Sequence, residues 1–314
     1  MGADSILIIT PPAASARNTP AASPIRLRAR VADYWALTKP EVNFLIGIAT
    51  FTGFYLGLAP AHTFPWLQAI NTVLGTLLVA SGTGTLNQYI ERRFDAAMRR
   101  TARRPLAAGR MYPSSALWFG VALSAAGVAY LALAANVLAA LLSLLTLLSY
   151  LFVYTPLKRV TPACVLVGAF PGAVPPLIGW AAAAGTLNLE AWKLYVILFL
   201  WQLPHFMAIA WMYREDYDRA GYLVLPGQAE SRDRYVSLQT LLPLIALLPT
   251  SMASSASNGH AGAYSIAALL ISLGFFYYGA EFVVHRSGVA ARRLLVASIV
   301  YLPLLFTLLM VSGR

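Results

Sequence analysis

The sequence is poor in charged residues and in cysteine. Of its 314 residues, 11% are charged and 59% are hydrophobic, whereas about a quarter of the residues in an ordinary soluble domain are charged. A soluble fold is excluded, because one core could not bury so much apolar surface away from water. The single cysteine, Cys164, excludes both a disulfide framework within the chain and a cysteine-ligated metal site.

Long apolar runs recur along the chain, and each could cross about 30 Å of hydrocarbon as a helix. The predicted fold class is all-α, a polytopic membrane bundle of about nine transmembrane helices around a central cavity. We expect residues 1–33 to be a disordered basic cytoplasmic tail and residues 34–314 to be the membrane domain. The predicted helices lie near 42–59, 67–90, 115–134, 137–154, 163–184, 193–213, 236–256, 262–284 and 292–312.

The basic residues are distributed unevenly about these helices. If the N-terminus is cytoplasmic, only Lys193 and Arg314 fall on the far side, which leaves 23 − 2 = 21 basic residues on the cytoplasmic side. This bias is typical of multi-pass proteins in a lipid bilayer, so the net charge of +11 reflects topology and not a nucleic-acid partner. We expect the bacterial inner membrane. The alternative is the mitochondrial inner membrane, with the arginine-rich tail as a targeting segment.

A first polar cluster ends the second predicted helix. Asn87, Glu91 and Asp95 recur every four residues, a spacing that places them on one face of a helix. Two acids at this spacing repel each other unless a cation or basic neighbours compensate them. Hard oxygen ligands of this kind suit Mg²⁺ bound together with a diphosphate. The alternative interpretation is that the acids pair with nearby arginines on a solvated loop.

Forked guanidinium groups follow this cluster and could donate to phosphate oxygens. They belong to Arg99, Arg100, Arg103 and Arg104. Farther along the chain, Lys158 and Arg159 are candidates for phosphate or propionate contacts, and their alternative role is to anchor the topology.

A second polar cluster ends the sixth predicted helix and contains Asp216, for which we predict metal binding. His205 follows a proline within the same helix and is either a packed, hydrogen-bonded residue or part of the site. Between the two clusters, residues 168–179 are dense in Gly and Pro, which at membrane depth is tolerated where protein or a cavity satisfies the backbone. This favours a lined cavity.

These motifs resemble those of the UbiA superfamily of intramembrane prenyltransferases, and within it the haem O synthase family. The resemblance covers residues 34–312. It rests on the runs Leu37–Pro40, Asn87–Asp95, Met98–Thr101, Arg104–Leu106, Tyr154–Thr155, Leu157–Arg159, Gly172–Trp180, Trp201–Phe206, Asp216–Tyr217 and Ala220–Gly221.

The resemblance implies Mg²⁺-dependent ionisation of farnesyl diphosphate and transfer of the farnesyl group to a vinyl side chain of protohaem IX, which gives haem O for terminal oxidases. It also implies a haem A synthase or another haem-pathway membrane protein as a partner. The metal-binding and catalytic residues would be Asn87, Glu91, Asp95 and Asp216; the substrate-binding residues would be Arg99, Arg103, Arg104, Tyr154, Lys158, Arg159 and His205.

The chain departs from the superfamily pattern at two places in these clusters. Glu91 stands where aspartate is usual, and Ala220 stands four residues after Asp216, where an acid would repeat. Whether Glu215 or His205 completes the second site is open. Two other functions are open as well: a UbiA-type enzyme that prenylates an aromatic quinone precursor, and a transporter of an anionic solute, against which the lack of an internal repeat argues.

Overall fold

The computed structural model describes residues 24–59, 63–253 and 261–312. In these ranges all regular structure is helical, and the prediction of an all-α fold is confirmed. The helices are α1 (Pro24–Leu37), α2 (Pro40–Gly57), α3 (Trp66–Asp95), α4 (Pro113–Ala134), α5 (Val137–Ser149), a π-helical turn (Tyr150–Tyr154), α6 (Thr155–Leu157), α7 (Cys164–Gly172), α8 (Pro175–Ala184), α9 (Leu189–Met212), α10 (Arg214–Arg219), α11 (Ala229–Met252), α12 (Ala261–His285) and α13 (Gly288–Ser312).

The predicted set of about nine membrane helices agrees with this order. Within the described ranges, eight helices or continuous helix pairs are long and apolar enough to cross a membrane. The first predicted span corresponds to α2, whose first turns carry the polar residues Glu41 and Asn43. The second predicted span continues to Asp95, beyond its expected end at residue 90, so Glu91 and Asp95 lie on α3 itself.

Residues 24–33, which belong to the predicted tail, form the first part of α1; residues 1–23 lie outside the described part of the chain. Contacts attach the end of α1 to the bundle. Leu37 is fully buried and its carbonyl accepts a hydrogen bond from Gln88 Nε2 at 3.0 Å. Asp33 accepts from Arg110 Nη2 at 2.8 Å. The end of α1 therefore fixes the start of α2 against α3.

Small residues allow the central helices to approach one another closely. A Cβ atom on Gly53 would lie 2.0 Å from the carbonyl oxygen of Pro176, and one on Gly179 would lie 1.9 Å from that of Thr50. Lipid tails compete for apolar surface, so helices in a bilayer associate largely through such close packing. The pairing of α2 with α8 fixes one wall of the bundle interior.

A π-helical turn lies just before Lys158 in the chain. The Thr155 N–H donates to the carbonyl of Tyr150, which widens one turn of an otherwise continuous helix. Such single-turn widenings are frequent at functional sites. Here the widened turn brings the next residues against the end of α3, where the Thr155 hydroxyl accepts from Asn87 Nδ2 at 3.3 Å.

Candidate active site

The first predicted cluster lies on one buried face at the end of α3. Asn87 and Asp95 are each 1% exposed and Glu91 is 5% exposed. Their spacing of four residues along a regular helix aligns the three side chains, as the sequence predicts. Buried carboxylates require compensating charge or hydrogen bonds, and the structure supplies both.

Each member of this face contacts its own cation. Lys39 Nζ donates to Asn87 Oδ1 at 2.9 Å, and Lys158 Nζ donates to Glu91 Oε1 at 2.7 Å. Arg104 Nη1 lies 2.8 Å from both carboxylate oxygens of Asp95. When Lys39 is protonated, three cations surround two carboxylates, and the excess of one positive charge suits an anionic ligand.

Lys39 lies in the Leu37–Pro40 run, but no role at the site was predicted for it. It immediately precedes Pro40 and adopts a left-handed backbone conformation, with φ 53° and ψ 60°. Residues other than glycine rarely adopt this conformation. Strained backbone of this kind persists where the surroundings over-determine it, and it clusters at functional sites. Burial, followed by the nearby Arg104 charge, lowers the pKa of Lys39 to about 7.

Lys158 follows α6 and is held by several groups. Its Nζ lies 4.6 Å from the centre of the Tyr154 ring and 5.9 Å from that of Tyr222. Burial by itself would lower the pKa of Lys158, but the adjacent Tyr154 and the Glu91 carboxylate raise it well above the ordinary value. Lys158 is therefore a fixed cation. Its carbonyl accepts from the Leu223 N–H at 2.7 Å, which docks the loop after α10.

Tyr222, on this docked loop, is a second residue missed from the sequence. It is 4% exposed, and its ring centre lies 5.4 Å from that of Phe94. Burial and the adjacent Glu91 carboxylate raise the pKa of its hydroxyl, which keeps the phenol neutral. The only sequence signal was its place directly after Gly221, where φ is 71° and the chain turns back towards α3.

Asp216 in α10 is 7% exposed and faces the loop that follows α3. Its Oδ2 accepts from the Arg100 backbone N–H at 3.2 Å, and its Oδ1 accepts from Arg219 Nη1 at 2.9 Å. Burial would raise the pKa of Asp216, but these hydrogen bonds lower it below the ordinary value. The same loop carries Arg104, so Asp95 and Asp216 lie at the same end of the bundle.

The remaining predicted site residues do not all lie at the acidic face of α3. The Arg159 guanidinium carbon lies 4.9 Å from the centre of the Phe94 ring, beside the site. Arg99 and Arg103 are exposed on the loop after α3. His205 contacts α13 through Ser298 Oγ at 2.7 Å, and not the acids. Glu215, the other candidate to complete the second site, is exposed.

The oxygen ligands fit a divalent cation only together with a substrate. In the described part of the chain, no three His, Cys, Asp or Glu side chains converge on one point. The available donors are the carboxylates of Glu91, Asp95 and Asp216 and the amide oxygen of Asn87, all hard oxygens of the kind that Mg²⁺ prefers. Mg²⁺ usually completes its octahedral shell with water and substrate phosphate, and an incomplete set of protein ligands fits that chemistry.

Comparison with known proteins gives consistent results. A model of the UbiA prenyltransferase family matches residues 46–308. The protoheme IX farnesyltransferase of Solibacter usitatus is 46% identical over 287 residues, which is 89% of this chain and 98% of that protein. The protein of the same name from Myxococcus xanthus is 42% identical, over 88% of this chain and 93% of its own length.

Solved structures share the fold at low sequence identity. A digeranylgeranylglyceryl phosphate synthase has a TM-score of 0.70 and 15% identity, with 91% of this chain and 99% of that chain covered. A UbiA homolog from Archaeoglobus fulgidus, bound to GPP and Mg²⁺, has a TM-score of 0.60 and 15% identity, with 86% of this chain and 99% of that chain covered.

Proposed function

The chain belongs to the UbiA prenyltransferase family, and we propose that it transfers a farnesyl group from farnesyl diphosphate to a vinyl side chain of protohaem IX, giving haem O. The observation that carries the choice of substrates is the similarity to proteins named protoheme IX farnesyltransferase, at 46% identity over 89% of this chain. The buried polar face of α3 supports the prenyl-transfer chemistry itself.

The diphosphate is proposed to bind where cations outnumber carboxylates at the end of α3. Lys39, Lys158 and Arg104 present their nitrogen atoms to this face. An arriving diphosphate would compete for the contacts that these cations now make with Asn87, Glu91 and Asp95, and would itself accept charge-assisted hydrogen bonds from them. Arg99 and Arg103 are exposed on the adjoining loop, from which they would reach the outer phosphate oxygens. Arg159 lies over the Phe94 ring, at 4.9 Å from its centre.

We propose Mg²⁺ as the cofactor, held by Asn87, Glu91, Asp95 and Asp216. When bound, the metal would neutralise charge that develops on the departing diphosphate. Two structural relatives from Archaeoglobus fulgidus, described as bound to Mg²⁺ with GPP or DMAPP, support a divalent cation at this kind of site. The carboxylates released from Lys158 and Arg104 by the arriving phosphates would be free to ligate.

The reaction breaks the C–O bond between the farnesyl C1 and the diphosphate, and the electron pair leaves with the diphosphate. The vinyl π electrons of protohaem then form the new C–C bond. Water adds to the resulting cationic carbon and loses a proton, which leaves a hydroxyethylfarnesyl group. The faces of the Tyr154 and Tyr222 rings contact the Lys158 ammonium and help to hold this cation at the site.

The membrane arrangement is part of the proposal. Eight apolar helices in the described residues support a multi-pass protein, and we place it in the bacterial inner membrane with the site at the cytoplasmic face. That side holds 21 of the 23 basic residues if the N-terminus is cytoplasmic. A haem A synthase in the same membrane is proposed as a partner, because haem O is too apolar to leave the bilayer readily.

Extraction of haems from cells tests this function. Cells that express the protein should accumulate haem O, identified by mass spectrometry, and cells that lack it should contain haem B alone. The Asp95→Ala variant, at equal abundance in the membrane, should resemble cells that lack the protein. Undiminished haem O with Asp95→Ala would remove Asp95 from the mechanism; prenylated quinone precursors in place of haem O would identify a different acceptor.

A further inference from the structure

His205 lies in a part of α9 that has no lipid-facing side. The four preceding residues, Trp201 to Pro204, are all buried, although four successive residues of a helix point in all directions around its axis. His205 itself remains partly exposed. The surface that His205 keeps therefore faces the interior of the bundle.

The hydrogen bonds around the imidazole fix its tautomer. Ser298 Oγ donates its single hydrogen to the carbonyl of Leu295 at 2.6 Å. Ser298 Oγ must then accept from His205, so the Nδ1–H donates across the 2.7 Å contact. In a neutral imidazole this leaves Nε2 with a free lone pair, and Nε2 has no hydrogen-bond partner among the residues that the structure describes.

Trp201 holds the ring in place from one side. The Trp201 and His205 rings are stacked, with centres 5.0 Å apart and planes inclined by 25°. Trp201 Nε1 in turn donates to the carbonyl of Ser298 at 2.8 Å. Both aromatic rings are thus tied to the same residue of α13, and the Nε2 direction is set before any ligand arrives.

A metal-ligating histidine usually donates a hydrogen bond through one ring nitrogen and binds the metal through the other. The hydrogen bond fixes the tautomer and raises the basicity of the ligating nitrogen. Haem iron is commonly bound by such a histidine. We propose that His205 Nε2 is an axial ligand to the iron of the haem acceptor. This inference rests on the proposed function, which supplies the iron porphyrin.

The depth of His205 suits this role. It lies 212 − 205 = 7 residues before the last residue of α9, a rise of roughly 10 Å along the helix axis. Vinyl groups lie on the rim of the macrocycle and the iron lies at its centre. An iron held at this depth would direct a rim carbon towards the end of the bundle where the diphosphate is proposed to ionise.

Optical and EPR spectra of the purified protein with ferric protohaem, without farnesyl diphosphate, test the proposal. The wild-type protein should show the spectrum of histidine-ligated haem. His205→Gln should lose that spectrum and bind ferric haem at least about tenfold more weakly. The matched control is His285→Gln, at the exposed end of α12, which should match the wild type. Added imidazole should restore the nitrogen-ligated spectrum to His205→Gln.

Metal-free protoporphyrin IX separates ligation from packing. Its binding, followed by fluorescence, should be unchanged in His205→Gln because there is no iron to ligate. If His205→Gln binds neither ferric haem nor protoporphyrin IX, the Ser298→Ala variant distinguishes ligation from packing. This variant keeps the imidazole but removes the hydroxyl to which it is hydrogen-bonded. We expect ferric haem to bind about tenfold more weakly to Ser298→Ala, and wild-type affinity there would overturn the proposal.

A wild-type spectrum in His205→Gln would also overturn the proposal. The spectra are recorded without a prenyl donor, so they test haem ligation by His205 independently of farnesyl transfer. A protein that ligates haem through His205 but makes no haem O would contradict only the proposed function. A protein that makes haem O with an unligated spectrum would contradict only the ligand.

Discussion

At the scale of single residues, the site consists of charged groups that compensate one another until a substrate arrives. Glu91 is the clearest example, because its carboxylate contacts a fixed cation, Lys158, at 2.7 Å while being 5% exposed. The pair is buried, and removal of one member of such a pair leaves the other without compensation. We therefore expect both catalysis and local order to depend on this residue.

Glu91→Gln keeps the size of the side chain and removes its charge. We expect kcat/KM for farnesyl diphosphate to fall by about 100-fold or more, since a preorganised electrostatic contact is lost. The assay is haem O formation by the purified protein. Glu215→Gln, an exposed acid near Asp216, is the control and should retain wild-type kcat/KM. Equal activity in the two variants would show that Glu91 has no role in ionisation.

Lys39→Asn tests a residue for which no site role was predicted. Asparagine tolerates the left-handed conformation at this position, so the backbone should be kept while the cation is lost. A hydrogen bond to a charged group contributes about 1.5–3 kcal/mol, and we expect KM for farnesyl diphosphate to rise about tenfold or more. Lys193→Asn, near the start of α9 and far from the site at its other end, should leave KM unchanged. An unaltered KM in Lys39→Asn would separate Lys39 from the diphosphate.

Asp216 can be compared with a neighbour of the same kind. Asp216→Asn removes a buried charge that accepts from Arg219 and the Arg100 backbone, and Asp218→Asn removes an exposed one. If Asp216 binds the metal, its variant should need at least about tenfold more Mg²⁺ for half-maximal rate. The Mg²⁺ requirement of Asp218→Asn should equal that of the wild type. If Asp216→Asn and Asp218→Asn need the same Mg²⁺ concentration for half-maximal rate, Asp216 has only a structural role.

At the scale of helices, close contact between α2 and α8 sets the width of the bundle interior. Gly179→Ala would place a methyl group 1.9 Å from the Thr50 carbonyl oxygen. We expect this overpacking to cost about 1–3 kcal/mol and to lower the midpoint of thermal unfolding in detergent. Gly274→Ala in α12, where a Cβ has no atom within 4 Å, should not lower it. An unchanged midpoint for Gly179→Ala would contradict this packing.

Features that depend on residues close together in the sequence were predictable, and features that depend on contacts between distant residues were not. Apolar length was enough for the membrane helices, and the four-residue spacing was enough to align Asn87, Glu91 and Asp95. The π-helical turn at Tyr150–Tyr154 was not predictable, because the mostly apolar run that contains it has no glycine or proline to mark an irregular turn. The contact of Lys39 with Asn87 joins residues 48 apart, and no local pattern encodes it.

At the scale of the whole molecule, the arrangement of loops relative to the bilayer can be measured. Single cysteines at Thr186 and Glu215, both exposed, can be introduced after Cys164→Ser. Intact cells treated with a membrane-impermeant maleimide should label Thr186→Cys, and inverted membrane vesicles should label Glu215→Cys. The positive-inside bias underlies this expectation. Labelling of both positions from one side would contradict the topology.

The whole-molecule prediction from sequence was correct in fold class and in helix order, because the bilayer restricts spanning segments to helices and closed barrels. It assigned residues 24–33 to the tail because the N-terminal segment is rich in Ala, Ser, Pro and Arg, whereas in the structure these residues form the first part of α1. The C-terminal end of that helix is fixed by contacts with residues far along the chain, such as Gln88. Sequence composition cannot show such contacts.

Haem O formation by the purified wild-type protein shows whether buried groups at the end of α3 hold and ionise one diphosphate beside a haem. With farnesyl diphosphate, protohaem and Mg²⁺, product should form. Removal of divalent cations with a chelator should abolish it, and Mg²⁺ should restore it. The proposed mechanism is contradicted if the complete mixture gives no haem O, or if product forms equally well in the chelated sample.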